Sequence, residues 1–144
     1  MKKIVVFSIL AVFSLFVVNA AFAGGECPQP RKTKAAPASN AGEDKTGGAN
    51  ADNGKMIYEK TAKPMACKMC HGDAGDGGGK LGAALKPKPR NFTCGETMKD
   101  VSAGQMFWII KNGSAGTGMV AHGKTLKDNE IWDVVKYVRS TFVK

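Results

Sequence analysis

Five consecutive residues, Cys67-Lys68-Met69-Cys70-His71, constrain this chain more than any other part of its sequence. Two thiols are separated by two residues, and an imidazole directly follows the second thiol. Thiols at this spacing can form thioether bonds to the two vinyl groups of a haem, while the adjacent imidazole binds the haem iron. The motif therefore predicts one haem c, attached through Cys67 and Cys70, with His71 as an iron ligand.

Two other kinds of site are built from paired cysteines, a redox disulfide and a zinc site. A thioredoxin-like redox motif follows a hydrophobic strand, but no such run precedes Cys67, and redox chemistry does not explain His71. A zinc site needs a second pair of ligands at metal spacing. The remaining candidates are scattered singly along the chain: Cys27, Cys94 and His122. Haem attachment explains more of the pattern than either alternative.

The N-terminus has the features of a secretory signal peptide over residues 1–23. Met1-Lys2-Lys3 is a short positive start, and residues 4–18 form an apolar run without a charge. Ala21-Phe22-Ala23 is an A-x-A cleavage signal, so we expect export to the periplasm. A retained membrane anchor is the alternative, because the apolar run approaches the roughly 20 residues that span a bilayer.

Residues 24–51 and residues 52–144 differ sharply in composition. The first stretch is rich in Ala, Gly, Pro, Asn and charged residues, and it has almost no large apolar side chains after Cys27. Such a segment buries too little surface to offset the entropy lost on ordering, which predicts a flexible tether. Residues 52–144 then form one small domain, and a covalently bound haem would enlarge its core.

The whole chain has a formal net charge of +9. A positive surface suits redox protein partners with acidic docking surfaces, or an anionic membrane face, and it equally serves solubility. We do not expect nucleic acid as a partner, because the sequence lacks the clustered arginines and interleaved aromatic residues of nucleic-acid-binding proteins.

Three stretches of the domain have helical patterns. The first runs from about Asp52 to Lys60, with Asp52 or Asn53 as its cap. The second, over residues 102–113, begins with a capping box of Ser102 and Gln105 and ends at an Asn-Gly stop. The third, over residues 128–142, has apolar residues at helical spacing. These patterns predict an all-α fold in which three to five helices surround the haem.

A haem iron bound by His71 has its opposite face open, and a thioether sulfur is a suitable second ligand. Met119 ends a Gly-rich loop that can approach the haem face, whereas the other methionines of the domain lie in predicted helices or beside the attachment site. His122 is the competing ligand and a stronger nitrogen donor. Met119 is the favoured distal residue.

The order of these features is similar to that of the class I (monohaem) cytochromes c. The resemblance covers most of residues 52–144: CKMCH, a Gly-rich loop, Lys-Pro-Lys-Pro-Arg-Asn-Phe, a helix ending in Asn-Gly, Gly-Thr-Gly-Met and a C-terminal helix. It implies that Cys67 and Cys70 form the thioethers. It also implies that His71 is the proximal iron ligand and Met119 the distal one.

The same resemblance implies a close contact between the first and last helices. Gly54 and Tyr58 would form one side of this contact, where glycine allows two backbones to approach. Val134 and Tyr137 would form the other side. The carbonyl of Pro87 would accept the hydrogen bond that orients the proximal imidazole.

The sequence departs from the class I pattern in two places. More residues separate Tyr58 from Cys67 than the family usually has, so the first helix is expected to be interrupted. Cys27 and Cys94 are the second departure. An oxidising compartment permits a disulfide between them, which would attach the tether to the domain. Two free thiols, or a bond from Cys27 to another protein, remain open.

The resemblance implies a carrier of single electrons, with no catalytic residue and no enzyme activity, because both axial positions of the iron are filled. One alternative is a haem-based small-molecule sensor or a peroxidase-like enzyme, in which the distal ligand is displaced and His122 serves as the distal base. A second alternative is a cytochrome subunit of a larger respiratory complex.

Overall fold

A computed structural model describes residues 26–30 and 33–144, and within these ranges it contains helices and no β-strand. Its six α-helical segments are α1 (Ala38–Ala41), α2 (Ala51–Met56), α3 (Lys68–His71), α4 (Gly95–Met98), α5 (Ala103–Asn112) and α6 (Asp128–Thr141). The predicted all-α class is confirmed. The described residues contain more than three to five helices because α1, α3 and α4 are single turns of 4 residues each. The predicted signal peptide, residues 1–23, lies outside the described residues.

The two long helices begin and end close to their predicted positions. At the start of α5, the Ser102 hydroxyl accepts a hydrogen bond from the N–H of Gln105 at 3.1 Å. Gly113 follows the end of α5 with a φ of 76°, a backbone conformation that favours glycine. At the start of α6, the Glu130 carboxylate accepts a hydrogen bond from the N–H of Lys127 at 2.7 Å. These caps satisfy backbone groups that a helix end leaves without partners.

The first predicted helix, Asp52–Lys60, differs from α2 in its cap and in its end. The cap is Asn50, whose side chain accepts hydrogen bonds from the N–H groups of Asp52 and Asn53. The sequence predicts Asp52 or Asn53 as the cap. Asn50, Asp52 and Asn53 are all good cap residues and lie within four positions of each other, so residue type alone does not distinguish them. After α2 the chain widens into a π-helical turn, Ile57–Thr61, so the expected interruption of the helix is present.

A buried carboxylate in α6 explains why the helix starts at Asn50. Asp133 accepts a hydrogen bond from the N–H of Asn50 at 2.7 Å and another from the side-chain amide of Asn53 at 2.8 Å. The carboxylate thus binds both the cap residue and the first turn of α2. These bonds join residues 83 and 80 positions apart, and a local cap pattern contains no information on such distant partners.

The predicted contact between the first and last helices is confirmed. Gly54 of α2 lies directly against the backbone carbonyl of Asp133 in α6. Farther along, the rings of Tyr58 and Tyr137 pack with their centroids 5.5 Å apart. The backbone that faces the glycine belongs to Asp133 rather than to the predicted Val134, so the crossing is displaced by one residue.

The core lies between α2, the π-helical turn, α5 and α6. Its large buried side chains are Ile57, Tyr58, Met98, Phe107, Ile131, Trp132, Val135, Val138 and Phe142. The rings of Phe107 and Trp132 stack across α5 and α6 with centroids 4.6 Å apart. The helices that form this core also provide one wall of the cavity described below.

Residues 33–50, which their composition predicts to be part of a flexible tether, make hydrogen bonds to the start of α5. The Ser102 hydroxyl donates a hydrogen bond to the carbonyl of Ala41 at 2.7 Å, which holds α1 against the start of α5. The N–H of Ala36 donates to the side-chain oxygen of Gln105 at 2.7 Å. These two side chains of α5 and its cap bind the backbone of the segment, and apolar composition does not predict such bonds.

Cys27 and Cys94 form a disulfide bond, with their Cα atoms 5.5 Å apart and a sequence separation of 67. Of the alternatives left open by the sequence, the internal disulfide is the one observed. It attaches the first described residues to the start of α4.

Removing this bond in the variant Cys27→Ser/Cys94→Ser should lower the free energy of unfolding by about 4 kcal/mol, the value that the chain-entropy model gives for a closed loop of this length. Urea unfolding of the two proteins measures the difference. A thiol reductant should lower the wild-type midpoint to that of the variant and leave the variant unchanged. Equal midpoints without reductant would show that the disulfide does not stabilise the fold.

Candidate functional site

The CKMCH motif folds as a single helical turn. The N–H groups of Cys70 and His71 both donate to the carbonyl of Cys67, at 3.1 and 2.9 Å, and α3 follows Cys67 directly. Residues three apart lie on the same side of a helix. Both thiols consequently line the same cavity, together with the buried imidazole of His71.

The glycine-rich stretch after the motif packs its backbone against α3. The N–H of Gly79 donates to the carbonyl of Cys70 at 3.1 Å, and the N–H of Leu81 donates to that of Met69 at 2.7 Å. A side chain at Gly79 would collide with the backbone of Lys68 and Cys70. The loop therefore satisfies and covers the carbonyls of the motif, and glycine allows it to approach that closely.

Two contacts fix the ring of His71. Its Nδ1 lies 3.1 Å from the carbonyl oxygen of Arg90, and the ring of Phe92 stacks on it with centroids 4.6 Å apart. When Nδ1–H donates to this carbonyl, Nε2 carries the lone pair that binds a metal. The prediction that Pro87 supplies the carbonyl is wrong. The carbonyl that faces the ring belongs to Arg90, three residues farther along the chain.

The buried position of His71 also sets its protonation state. Burial lowers the pKa of His71 to about 4, and the hydrogen bond to the Arg90 carbonyl opposes this shift only in part. The imidazole is therefore neutral at physiological pH. A neutral imidazole is the form that binds a metal ion.

The two motif cysteines differ from a redox dithiol. Burial raises the pKa of Cys67 to about 11 and also raises the pKa of Cys70. A redox-active CxxC motif depends instead on a thiol with a lowered pKa. The zinc alternative loses two of its candidate ligands, because Cys27 and Cys94 are bonded to each other. Within residues 26–30 and 33–144, no cluster of three or more His, Cys, Asp or Glu side chains is placed to hold a metal ion.

A cavity of about 440 Å³ connects the predicted site residues. Cys67, Cys70, His71, Met119 and His122 all line it. Much of the remaining wall is apolar: Leu85, Phe92, Met98, Val101, Met106, Ile109, Ile110 and Val138. The volume is within the range of about 300–1,000 Å³ typical of cofactor pockets. A large apolar wall beside two thiols and a neutral imidazole fits a covalently bound haem.

Met119 is half-buried at the end of a tight loop. The hydroxyl of Thr117 accepts a hydrogen bond from the N–H of Met119 at 3.0 Å and donates to the carbonyl of Ser114 at 2.7 Å. The N–H of Ser114 in turn donates to the carbonyl of Met119 at 3.0 Å. These bonds fix the backbone at Met119, whose side chain lines the cavity.

His122 is buried beside the same cavity, and its Nδ1 has no hydrogen-bond partner among the described residues. Burial lowers the pKa of His122, and the nearby backbone of Lys63 opposes this shift. A buried polar atom without a partner is costly. The unpartnered Nδ1 of His122 lies beside the cavity, so a bound group with polar atoms could supply the missing hydrogen-bond partner.

Comparison with known proteins agrees with this geometry. The family model described as "Cytochrome C oxidase, cbb3-type, subunit III" matches residues 49–138. The chain belongs to this family. The predicted resemblance to class I cytochromes c is thereby confirmed, and haem c is the cofactor of such a domain. Cytochrome c domains transfer electrons and are typically extracytoplasmic. No curated protein matches the chain significantly.

A solved chain of the reducing HAO-like protein complex of Kuenenia stuttgartiensis has a similar structure. It aligns with this chain at a TM-score of 0.56 and 31% sequence identity. The alignment covers 65% of this chain and 44% of that chain. The cytochrome thus spans less than half the length of its solved relative.

The four residues that the sequence assigned to the haem, Cys67, Cys70, His71 and Met119, meet at one cavity of the cytochrome. The carbonyl of Arg90 was missed. It is a backbone atom, and no side-chain pattern identifies it.

Proposed function

We propose that this cytochrome is an exported carrier of single electrons that acts in the periplasm or cell envelope with one haem. The observation that carries the proposal is the cavity where Cys67, Cys70, His71 and Met119 meet. The thiols would hold the haem by thioether bonds, and the imidazole and the thioether sulfur would be its axial ligands. The sequence contains one CxxCH motif, which supports a single haem.

A haem c supplies an iron that accepts and releases one electron without forming or breaking bonds in a substrate. The residues of the chain prepare the site for this exchange. The Arg90 carbonyl holds the Nδ1 proton of His71, and Phe92 fixes the plane of the ring. Hydrogen bonds from Thr117 fix the backbone of Met119. Ligands held in this way change their positions little between the two oxidation states of the iron, which favours electron transfer. In this proposal no residue has a catalytic role.

The surface around the cavity suits redox protein partners with acidic docking surfaces. Lys86 and Lys88 line the cavity and are exposed, as are the apolar side chains of Met65 and Val120. An apolar centre with positive charges nearby would bind an acidic partner, and the attraction would weaken as salt increases.

Among the described residues, no helix has the length and apolarity needed to cross a membrane.

A second candidate function is a cytochrome subunit of a larger respiratory complex. The family description names an oxidase subunit, and the solved relative belongs to a multiprotein complex. Both observations are compatible with electron transfer at the same site. Stable co-purification with other proteins from the native membrane or periplasm would favour this candidate over a free carrier.

Covalent attachment is the first test of the proposal. Production in a host that exports and matures c-type cytochromes should give one covalently bound haem per chain, measured by intact mass. The variant Cys67→Ala/Cys70→Ala should lose all covalent haem, because no thioether can form. The matched control Cys27→Ser/Cys94→Ser should keep it, because the disulfide lies outside the motif. A wild-type protein without covalent haem would contradict the proposal.

The coordination of the iron separates a carrier from a sensor or enzyme. The oxidised protein should show a six-coordinate low-spin spectrum, and the reduced protein should not respond to carbon monoxide. Ready binding of carbon monoxide would instead indicate a displaceable distal ligand, with His122 as the available distal base.

A further inference from the structure

The side chain of Gln29 forms hydrogen bonds with the backbone on both sides of Arg90. Its Nε2 donates a hydrogen bond to the carbonyl of Pro89 at 2.9 Å, and its Oε1 accepts one from the N–H of Asn91 at 2.8 Å. The Arg90 guanidinium lies 3.4 Å from the same Oε1. One amide group thus binds both neighbours of the residue whose carbonyl contacts His71.

The bond to Asn91 bears directly on the His71 contact. The N–H of Asn91 and the carbonyl of Arg90 belong to the same planar peptide group. When Gln29 accepts from that N–H, it fixes the direction of the carbonyl that accepts from His71 Nδ1, 3.1 Å away. A hydrogen bond at one end of a peptide also polarises its other end, which makes the carbonyl a stronger acceptor.

Gln29 is itself held in place at its backbone. Its N–H donates to the hydroxyl of Thr97 at 2.9 Å, and it lies two residues after Cys27, whose disulfide partner is Cys94. Gln29 thereby connects the segment before the cytochrome domain to His71, through the peptide group between Arg90 and Asn91.

We propose that Gln29 is a positioning residue that tunes the reduction potential of the iron through Arg90 and His71. This inference rests on the proposed function, in which His71 is the proximal ligand. A strong hydrogen bond at Nδ1 increases the electron donation of the imidazole, which stabilises the oxidised iron more than the reduced iron. The Gln29 contacts therefore lower the potential.

Replacing Gln29 with methionine tests this chain of contacts, because methionine has a similar length and no amide. The potential of Gln29→Met should rise. At the wild-type midpoint, the ratio of reduced to oxidised protein should increase about threefold, which corresponds to about 28 mV for one electron at 59 mV per tenfold. The exchange of the His71 Nδ1 proton with solvent, measured by NMR on the reduced protein, should become faster.

Gln29→Glu provides the conservative rescue. Its carboxylate cannot donate to the Pro89 carbonyl but still accepts from the N–H of Asn91, so the His71 proton should exchange at close to the wild-type rate. The potential should return to the wild-type value or fall below it, since a negative charge near the haem also stabilises the oxidised state.

Ser102→Ala is the matched control. Ser102 holds residues 33–50 through its hydrogen bond to the carbonyl of Ala41, and it does not line the cavity around His71. Its replacement should change neither the potential nor the proton exchange. If Gln29→Met does not yield holoprotein, Thr97→Val supplies a second route, because it removes the acceptor of the Gln29 N–H. A smaller shift in the same direction is expected there.

An unchanged potential and unchanged proton exchange in Gln29→Met would overturn the inference. Equal effects of Gln29→Met and Ser102→Ala would also overturn it, because they would indicate general loosening of the segment. A failure of the proposed function is distinguishable: it would appear in the wild-type protein, as an absence of covalent haem or of an imidazole-ligated iron.

Discussion

Replacing Met119 with alanine should abolish the weak far-red absorption band of the oxidised protein, which arises from sulfur-to-iron charge transfer. Met119 lines the cavity with His71, and its backbone is fixed by Thr117 and Ser114, so the loop places a thioether sulfur at the cavity. The reduction potential should fall by on the order of 0.1 V or more, because the axial ligands set the potential of haem proteins over a range of about 0.8 V. Absorption spectroscopy and a redox titration measure the two effects.

Met65→Ala is the matched control for this experiment. Met65 is a second methionine that lines the cavity, but it is 39% exposed and lies two residues before the attachment motif. Its replacement should leave the far-red band intact. A band that persists in Met119→Ala, or that is missing from the wild type, would show that Met119 is not the iron ligand.

The spin state of Met119→Ala then tests the role of His122. The Nδ1 of His122 is buried without a partner, and the residue lines the cavity three positions after Met119. A low-spin variant would indicate that this imidazole binds the iron once the sulfur is gone. The double variant Met119→Ala/His122→Ala should then be high-spin and should bind carbon monoxide. A high-spin single variant would indicate that His122 does not reach the iron.

The parts of the fold that depend on local sequence were predictable. Ser102 with Gln105 and the glycine at 113 fixed the ends of α5, because a cap involves residues within a few positions of each other. The same holds for CKMCH, where one helical turn places two thiols on one side. Met119 was found because a Gly-rich loop precedes it and because a haem iron needs a second ligand.

The parts that depend on contacts distant in sequence were not predictable. Gln29 and Asn91 are 62 positions apart, and Asn50 and Asp133 are 83 apart. Composition described residues 24–51 as a tether because it counts apolar side chains, whereas hydrogen bonds and a disulfide hold the described part of this segment. The choice of the Arg90 carbonyl over that of Pro87 depends on the direction of a single peptide plane, which residue identity does not determine.

The variant Gly54→Ala should destabilise the fold by more than about 3 kcal/mol, within the range of large overpacking effects. A methyl group at this position would overlap the carbonyl of Asp133 and lie 3.0 Å from the Cβ of Tyr137. The carbonyl of Asp133 belongs to the backbone of α6 and cannot rotate away as a side chain could. Helix α2 would therefore have to move away from α6. That movement would disturb the hydrogen bond from the Tyr58 hydroxyl to the carbonyl of Gly72, which follows the haem motif directly.

The direction of this effect distinguishes the contact from helix propensity. Alanine is favoured over glycine inside a helix by about 1 kcal/mol, so without the α2–α6 contact the same substitution would stabilise the protein. Gly47→Ala is the matched control, because a Cβ at Gly47 has no atom within 4 Å, and it should change stability by less than about 0.5 kcal/mol. Urea unfolding of the three holoproteins measures these differences. A Gly54→Ala protein as stable as the wild type would show that α2 and α6 do not cross at Gly54, and the packing behind the proximal side of the site would then need a different explanation.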